Sequence, residues 1–134
     1  MGGKRNRTVG NKFEVETAKK FREKVGWENV VTSRAESRIR DSEKVDLINK
    51  HEAINGRMLY SIQNKCTTVN VNYHKIINEM TNLGDTIPVI LHRKTEKKKD
   101  RFFRVGEYAI LKMEDFFSII TELEEFKRIK DVLE

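Results

Sequence analysis

Two short runs decide the fold of this chain: KVDLIN at Lys44–Asn49 and RMLYSIQNK at Arg57–Lys65. Both are rich in the β-branched, aromatic and aliphatic residues that strands prefer. The segment between them contains an Asn-Gly pair, which is typical of a hairpin turn. Because side chains alternate along a strand, Gln63 and Lys65 lie on the same face of the second strand. The pattern therefore predicts two paired strands that bring Asp46 toward Gln63 and Lys65.

Asp46 is an acid in an otherwise apolar run, Val45-Asp46-Leu47-Ile48. A buried carboxylate without a partner is costly, so a cation is expected beside it. Carboxylate and amide oxygens suit hard cations such as Mg²⁺. The alternative is that Asp46 is a polar residue on a half-exposed strand and that Lys65 is an ordinary strand-end lysine. The three histidines have no zinc-ligand spacing, so a zinc site is not expected.

The spacing of Asp46, Gln63 and Lys65 resembles the PD-(D/E)xK nuclease superfamily. Two other segments resemble the archaeal-type and phage Holliday junction resolvases. GNKFE at Gly10–Glu14 is similar to the opening of their first helix, and SRAESR at Ser33–Arg38 is similar to the serine- and arginine-containing segment before their metal-binding aspartate. The resemblance covers about half of the chain. It implies an α/β fold, a restriction-endonuclease-like central mixed β-sheet flanked by α-helices.

The resemblance also implies a catalytic set of Glu14, Asp46, Gln63 and Lys65 in a metal-dependent endodeoxyribonuclease, a phosphodiesterase. Mg²⁺, for which Mn²⁺ is expected to substitute, would be held by Asp46, the Gln63 side chain, the Asn64 backbone carbonyl and, through water, Glu14. Lys65 would orient the attacking water. The superfamily usually has an acid where this chain has Gln63, and an amide brings no charge, so weaker metal binding is expected. Glu14 has an alternative role as an ordinary first-turn acid.

The charge of the chain favours a polyanionic partner. Its 134 residues include 27 basic and 21 acidic ones, a formal charge of +6. Arginines just before a metal-binding aspartate suit phosphate recognition. The residues expected to contact DNA are Lys4, Arg5, Arg7, Ser33, Arg34, Ser37, Arg38, Arg40, Lys97, Lys98 and Lys99. The two serines have an alternative role in capping a loop, and the lysine run has one as a solvated turn.

The length predicts one domain, with residues 1–10 as a flexible basic arm and 11–134 as a single nuclease domain. Hydrophobic periodicity predicts the order α-β-β-β-α-β-β-α. The predicted elements are a helix at Asn11–Val25, strands at Trp27–Ser33, Lys44–Asn49 and Arg57–Lys65, a hairpin turn at His51–Gly56, a helix at Tyr73–Met80, a strand at Ile87–Arg93, a basic turn at Lys94–Asp100, extended segments at Arg101–Val105 and Tyr108–Lys112, and a helix at Glu114–Leu133.

The expected function is structure-selective cutting of four-way or other branched DNA during DNA recombination, by a homodimer that the C-terminal helix helps to pair. Two alternatives stay open because they use the same metal core: a restriction-like or repair nuclease of linear duplexes, and a catalytically weak DNA-binding descendant. No run is long enough to span a membrane, and the chain opens with no secretory signal pattern. Cys66 is a single cysteine and makes no internal disulfide. The expected location is the cytoplasm of a bacterial, archaeal or phage-infected host cell.

Overall fold

Five strands form one mixed sheet in the order β1-β2-β3-β4-β5 in the computed structural model, which describes residues 2–80 and 84–133. The strands are β1 Val30–Thr32, β2 Leu47–Asn49, β3 Tyr60–Thr67, β4 Ile87–Lys98 and β5 Arg101–Ile110. Neighbouring strands are antiparallel, except that β3 and β4 are parallel. The predicted α/β class with a central mixed sheet flanked by helices is therefore confirmed.

The helices are α1 Gly2–Lys20, α2 Ser33–Glu36, α3 Arg38–Ser42, α4 Glu52–Asn55, α5 Tyr73–Glu79 and α6 Met113–Leu133. A π-helical turn, Phe21–Val25, follows α1 and ends at Gly26, whose φ of 82° is left-handed and suits glycine. Helix α1 begins at Gly2 and so includes most of the segment 1–10 that the sequence predicted as a flexible basic arm. The side chains of the predicted arm residues, Lys4, Arg5 and Arg7, lie outside the part that the structure describes.

The core lies between α1 and the first three strands. It is a buried cluster of Ala18, Val30, Leu47, Met58 and Ile62. Burying an aliphatic side chain of this size contributes about 1.5–3 kcal/mol. The cluster therefore fixes α1 over β1, β2 and β3, and with it the position of Glu14, which lies one helical turn before Ala18.

A buried arginine ties β4 to α1. The Arg93 guanidinium donates to Glu16 at 2.6 Å and to Glu107 at 3.1 Å, and it lies 4.5 Å from the centroid of the Phe13 ring. Removing one partner from such a buried group costs about 3–5 kcal/mol. Since Phe13 and Glu16 flank Glu14 along α1, this cluster holds the turn of helix that carries Glu14.

The connection between β2 and β3 differs from the hairpin predicted at His51–Gly56. Helix α4 lies within it, and β2 pairs with β3 only at Leu47 and Ile62. Strand β2 begins at Leu47, so Asp46 precedes the strand, although its N–H still donates to the Ile62 carbonyl at 2.7 Å. With so little pairing, the backbone of β3 after Ile62 is available to the Asp46 side chain.

Strands β4 and β5 form a long hairpin. The basic turn predicted at Lys94–Asp100 is shorter in the structure, because β4 continues to Lys98 and only Lys99 and Asp100 form the turn. Their φ values of 48° and 65° are both positive, as a type I′ turn requires. Strand β5 is continuous from Arg101 to Ile110, with an irregular register opposite Lys94, where two separate extended segments were predicted.

Helix α6 follows β5 and agrees with the predicted C-terminal helix to within one residue. Most of its apolar side chains are largely exposed. Among residues 2–80 and 84–133, no helix combines the length and the apolar character needed to cross a bilayer.

Candidate active site

Asp46 is a buried carboxylate at the junction of β2 and β3. It is 7% exposed, and its Oδ2 accepts the Asn64 N–H at 2.6 Å. The pKa of Asp46 is raised to about 7, mainly by burial. The Glu14 carboxylate also raises this pKa, whereas the Asn64 N–H and Lys65 lower it. A strongly raised pKa of this kind is characteristic of functional carboxylates. A bound cation would hold this group in its ionised form.

Gln63 contributes a second buried oxygen on β3, the strand whose backbone Asp46 contacts. Asp46 is hydrogen-bonded to both neighbours of Gln63, to the Ile62 carbonyl and to the Asn64 N–H. Gln63 is 9% exposed, and its Oε1 has no hydrogen-bond partner within the described part of the chain. A buried oxygen left without a donor costs about 1–3 kcal/mol. An amide oxygen can instead ligate a hard cation, which would satisfy it.

Lys65 lies two residues further along β3, on the Gln63 face. Within residues 2–80 and 84–133 its ammonium forms no salt bridge, although it acts electrostatically on Asp46. A cavity of about 90 Å³ is lined by Lys44, Gln63, Lys65, Ile76 and Glu79. Lys65 thus shares this cavity with the Glu79 carboxylate, and neither Asp46 nor Glu14 is among the lining residues.

Glu14 reaches the site from α1. It is buried and accepts a hydrogen bond from Arg34 Nη2 at 3.0 Å, and Arg34 also donates to Asn11 Oδ1. Burial raises the pKa of Glu14, and Arg34 opposes that effect. These side chains line a recess of about 190 Å³ together with Val15 and Thr32. Glu14 is thus an electrostatic neighbour of Asp46, but it lines a different recess from Gln63 and Lys65.

The side chain of Asn64 connects β3 to α1 through Thr17, a residue that the sequence reasoning missed. The Asn64 amide Nδ2 donates to Thr17 Oγ1 at 2.7 Å, and Thr17 Oγ1 donates to the Glu14 carbonyl at 3.0 Å. Asn64 Oδ1 is another buried oxygen without a hydrogen-bond partner in the described residues. Thr17 follows Glu14 by about one helical turn, and this spacing could have indicated that both residues face the site. Only the fold shows that Thr17 contacts Asn64.

Three residues predicted to contact DNA serve the fold itself. Ser33 is 0% exposed and donates to the Val45 carbonyl at 2.5 Å. Because it has no exposed surface, Ser33 has no route to a DNA phosphate. Ser37 Oγ accepts the Arg40 N–H at 3.3 Å and caps α3. The Arg40 guanidinium is held at 2.8 Å by Glu43 and at 3.0 Å by a second carboxylate, that of Glu52.

The other predicted DNA contacts whose side chains the structure describes are on the surface. Arg34 has 44% of its side chain exposed even while it pairs with Glu14. Arg38 and the run Lys97–Lys99 are exposed. The exposed cations therefore lie both next to the acidic site and on the distal end of β4.

No group of three or more His, Cys, Asp or Glu side chains able to hold a metal occurs in residues 2–80 and 84–133. The candidate ligands are two carboxylates and amide oxygens, which are hard donors. A larger pocket of about 530 Å³ lies at the beginning of β3 among Trp27, Arg57 and Tyr60. The acid with the strongly raised pKa lies elsewhere, so the chemistry points to Asp46 rather than to this pocket.

Comparisons with protein-family models, with curated proteins and with solved structures find no match for this chain. A functional proposal therefore depends on the site geometry and on the sequence resemblance.

Proposed function

We propose that this chain is a Mg²⁺-dependent endodeoxyribonuclease of the PD-(D/E)xK type, with the restriction-endonuclease-like form of the α/β fold, that cuts four-way or other branched DNA. Mn²⁺ is expected to substitute for Mg²⁺. The observation that carries the proposal is the arrangement around Gln63. Asp46, a buried carboxyl with a pKa of about 7, is hydrogen-bonded to the backbone of Ile62 and of Asn64. These residues are the two chain neighbours of Gln63, whose buried side-chain Oε1 has no hydrogen-bond partner in the described residues.

The residues at hand fit a hard cation. Asp46 and Gln63 Oε1 would hold it, with Asn64 and, through water, Glu14 as additional oxygen donors. A bound Mg²⁺ would polarise a phosphate oxygen and lower the pKa of a bound water. Since the pKa of Asp46 is about 7, this carboxyl gives up its proton when a cation is present, and cleavage is expected to increase with pH near neutrality.

Lys65 would orient the attacking water and offset the negative charge that develops on the phosphate in the transition state. Its place on the Gln63 face of β3 supports this role, because no competing salt bridge holds it in the described residues. The expected products carry a 5'-phosphate and a 3'-hydroxyl.

Arg34 would connect the acidic site to the DNA backbone. Its guanidinium already neutralises part of the Glu14 charge, at 3.0 Å, while nearly half of the side chain faces solvent. A planar guanidinium offers two parallel donors to a phosphate. Arg34 would therefore position the DNA backbone beside Glu14 and Asp46.

Cutting a junction symmetrically requires two active sites, so the proposal includes a homodimer with two-fold symmetry. Helix α6 supports it. Its largely exposed apolar residues are Met113, Phe116, Phe117, Ile120, Leu123, Phe126, Ile129, Val132 and Leu133. Those from Met113 to Leu123 fall on one stripe of the helix, and those from Phe126 onward continue around it. A second copy of α6 is the proposed cover.

The test is cleavage of a labelled four-way junction by four variants. Asp46→Asn and Lys65→Ala are expected to abolish Mg²⁺-dependent cleavage while DNA affinity stays within several-fold, because phosphate contacts elsewhere dominate binding. The matched controls are the exposed residues Asp41→Asn and Lys75→Ala, which should cut like the wild type. Cleavage retained by Asp46→Asn would remove the proposed site.

A further inference from the structure

The distal end of the β4–β5 hairpin extends beyond the rest of the sheet. Strand β3 pairs with β4 only as far as Thr67 and Lys94. The pairs from Thr95–Arg104 to Lys98–Arg101 continue with no third strand beside them in the described sheet. Residues 96–105 are all exposed. We refer to residues 94–104 as the basic ribbon, because they form two strands and a tight turn at Lys99 and Asp100.

Most of the net charge of the chain lies in this ribbon. Residues 94–104 contain six basic and two acidic side chains, a formal charge of +4 out of +6 for the whole chain. The basic residues are Lys94, Lys97, Lys98, Lys99, Arg101 and Arg104. Two of them form exposed salt bridges, Lys98 with Glu96 at 3.8 Å and Arg104 with Glu16 at 3.6 Å. Exposed pairs of this kind are weak and exchange readily for phosphate.

The ribbon is aligned with the candidate active site. Strands β3 and β4 are parallel, and Lys65 is in register with His92. Because side chains alternate along a strand, Lys94 and Lys98 face the same side of the sheet as Lys65. At about 3.3 Å per residue, Lys98 lies roughly 20 Å beyond the level of Lys65. This distance corresponds to about six base pairs of duplex at 3.4 Å each.

We propose that the basic ribbon is a DNA-binding element that contacts duplex DNA about six base pairs from the bond that is cut. The inference rests on the proposed nuclease function and adds to it a second contact, placed on one side of the cut. Duplex DNA is the occupant because the charges are complementary and because a two-stranded ribbon fits the major groove, about 12 Å wide. Phe103 is 47% exposed and lies opposite Glu96, on the Lys98 face of the ribbon, where it offers apolar surface for thymine methyl groups.

The test compares two triple variants of the full chain. The ribbon variant carries Lys98→Gln, Lys99→Gln and Arg101→Gln. The control variant removes the same charge from exposed sites outside the ribbon and outside α6, with Lys19→Gln, Lys24→Gln and Lys75→Gln. Each is measured on branched DNA whose duplex extends either about 15 or about 3 base pairs beyond the cut, so that only the longer duplex spans the distance to the ribbon. Affinity without Mg²⁺ and cleavage rate with Mg²⁺ are both recorded.

On the longer duplex the ribbon variant should bind on the order of 10²-fold more weakly than the control near 0.1 M salt, and its log–log salt slope should fall by about 2.7, the value for three phosphate contacts. On the shorter duplex the two variants should bind alike. Arg101→Gln alone should reduce the slope by about 0.9, which guards against a folding defect in the triple variant.

Equal binding of the two triple variants to the longer duplex overturns the ribbon proposal, even where the wild type cuts normally. Equal losses by the ribbon variant on both duplexes also overturn it, because the contact would then be close to the cut. A wild type that binds DNA but cuts neither substrate refutes the nuclease function instead. In that case a loss of long-duplex binding by the ribbon variant still supports the ribbon as a DNA contact.

Discussion

Replacing Asp46 by asparagine is expected to stabilise the metal-free protein at and above neutral pH. The pKa of Asp46 is about 7 in the folded chain against an ordinary value of 3.8. Between these two values the folded state binds more protons than the unfolded state, so the free energy of unfolding decreases as pH rises through this window and is constant above it. At about 1.36 kcal/mol per pKa unit, the wild type loses about 4 kcal/mol by pH 8.

The side-chain amide introduced by Asp46→Asn still offers an oxygen to the Asn64 N–H but carries no charge. Urea denaturation with EDTA should therefore give similar unfolding free energies for both proteins near pH 4, and a variant more stable by up to about 4 kcal/mol at pH 8. Added Mg²⁺ should stabilise the wild type at pH 8 and leave the variant unchanged. The exposed Asp41→Asn is the control. An Asp46→Asn variant with the pH dependence of the wild type would refute a buried, strongly shifted carboxyl.

Two further predictions concern the metal ligand and the dimer. Gln63→Glu adds a negative charge to the proposed metal site, so half-maximal cleavage should need a lower Mg²⁺ concentration. An unchanged Mg²⁺ titration of cleavage would place Gln63 outside the ligand set. The double variant Ile120→Asp, Phe126→Asp introduces charge into the apolar surface of α6. Sedimentation should therefore change from dimer to monomer, and paired nicking of a junction should become single nicking. A wild type that is already monomeric contradicts the α6 interface.

The sequence was sufficient to predict those elements and site residues that are determined by their neighbours along the chain. Strong β-branched and aromatic content located β3, and alternation placed Gln63 and Lys65 on one face of it. Helix α5 was also predicted, and in the structure Asn72 caps it by accepting the Lys75 N–H at 3.2 Å. A charged residue inside an apolar run singled out Asp46. These elements carry most of the candidate site.

The sequence was insufficient where tertiary contacts decide the outcome. Ser33 lies in a polar segment typical of an exposed loop. In the structure it is buried against Val45 and Asp46, whose carbonyls accept its hydroxyl and its N–H. The sequence indicated that Arg40 binds phosphate. In the structure its guanidinium is paired with Glu43 and Glu52 instead. Two extended segments were predicted on either side of Gly106, yet β5 passes through it. A Cβ at this position would meet the Tyr108 ring, and this close approach suits a residue without a side chain.

The central claim is that the Asp46 site is a metal-dependent nuclease centre for branched DNA. The most direct measurement incubates the EDTA-treated protein with a labelled four-way junction and, separately, with a linear duplex of the same sequence, before and after addition of Mg²⁺. We predict no cleavage without metal, paired nicks in opposing strands of the junction with it, and much slower cutting of the linear duplex. Absence of cleavage with both Mg²⁺ and Mn²⁺, or cleavage that EDTA does not stop, would contradict this claim.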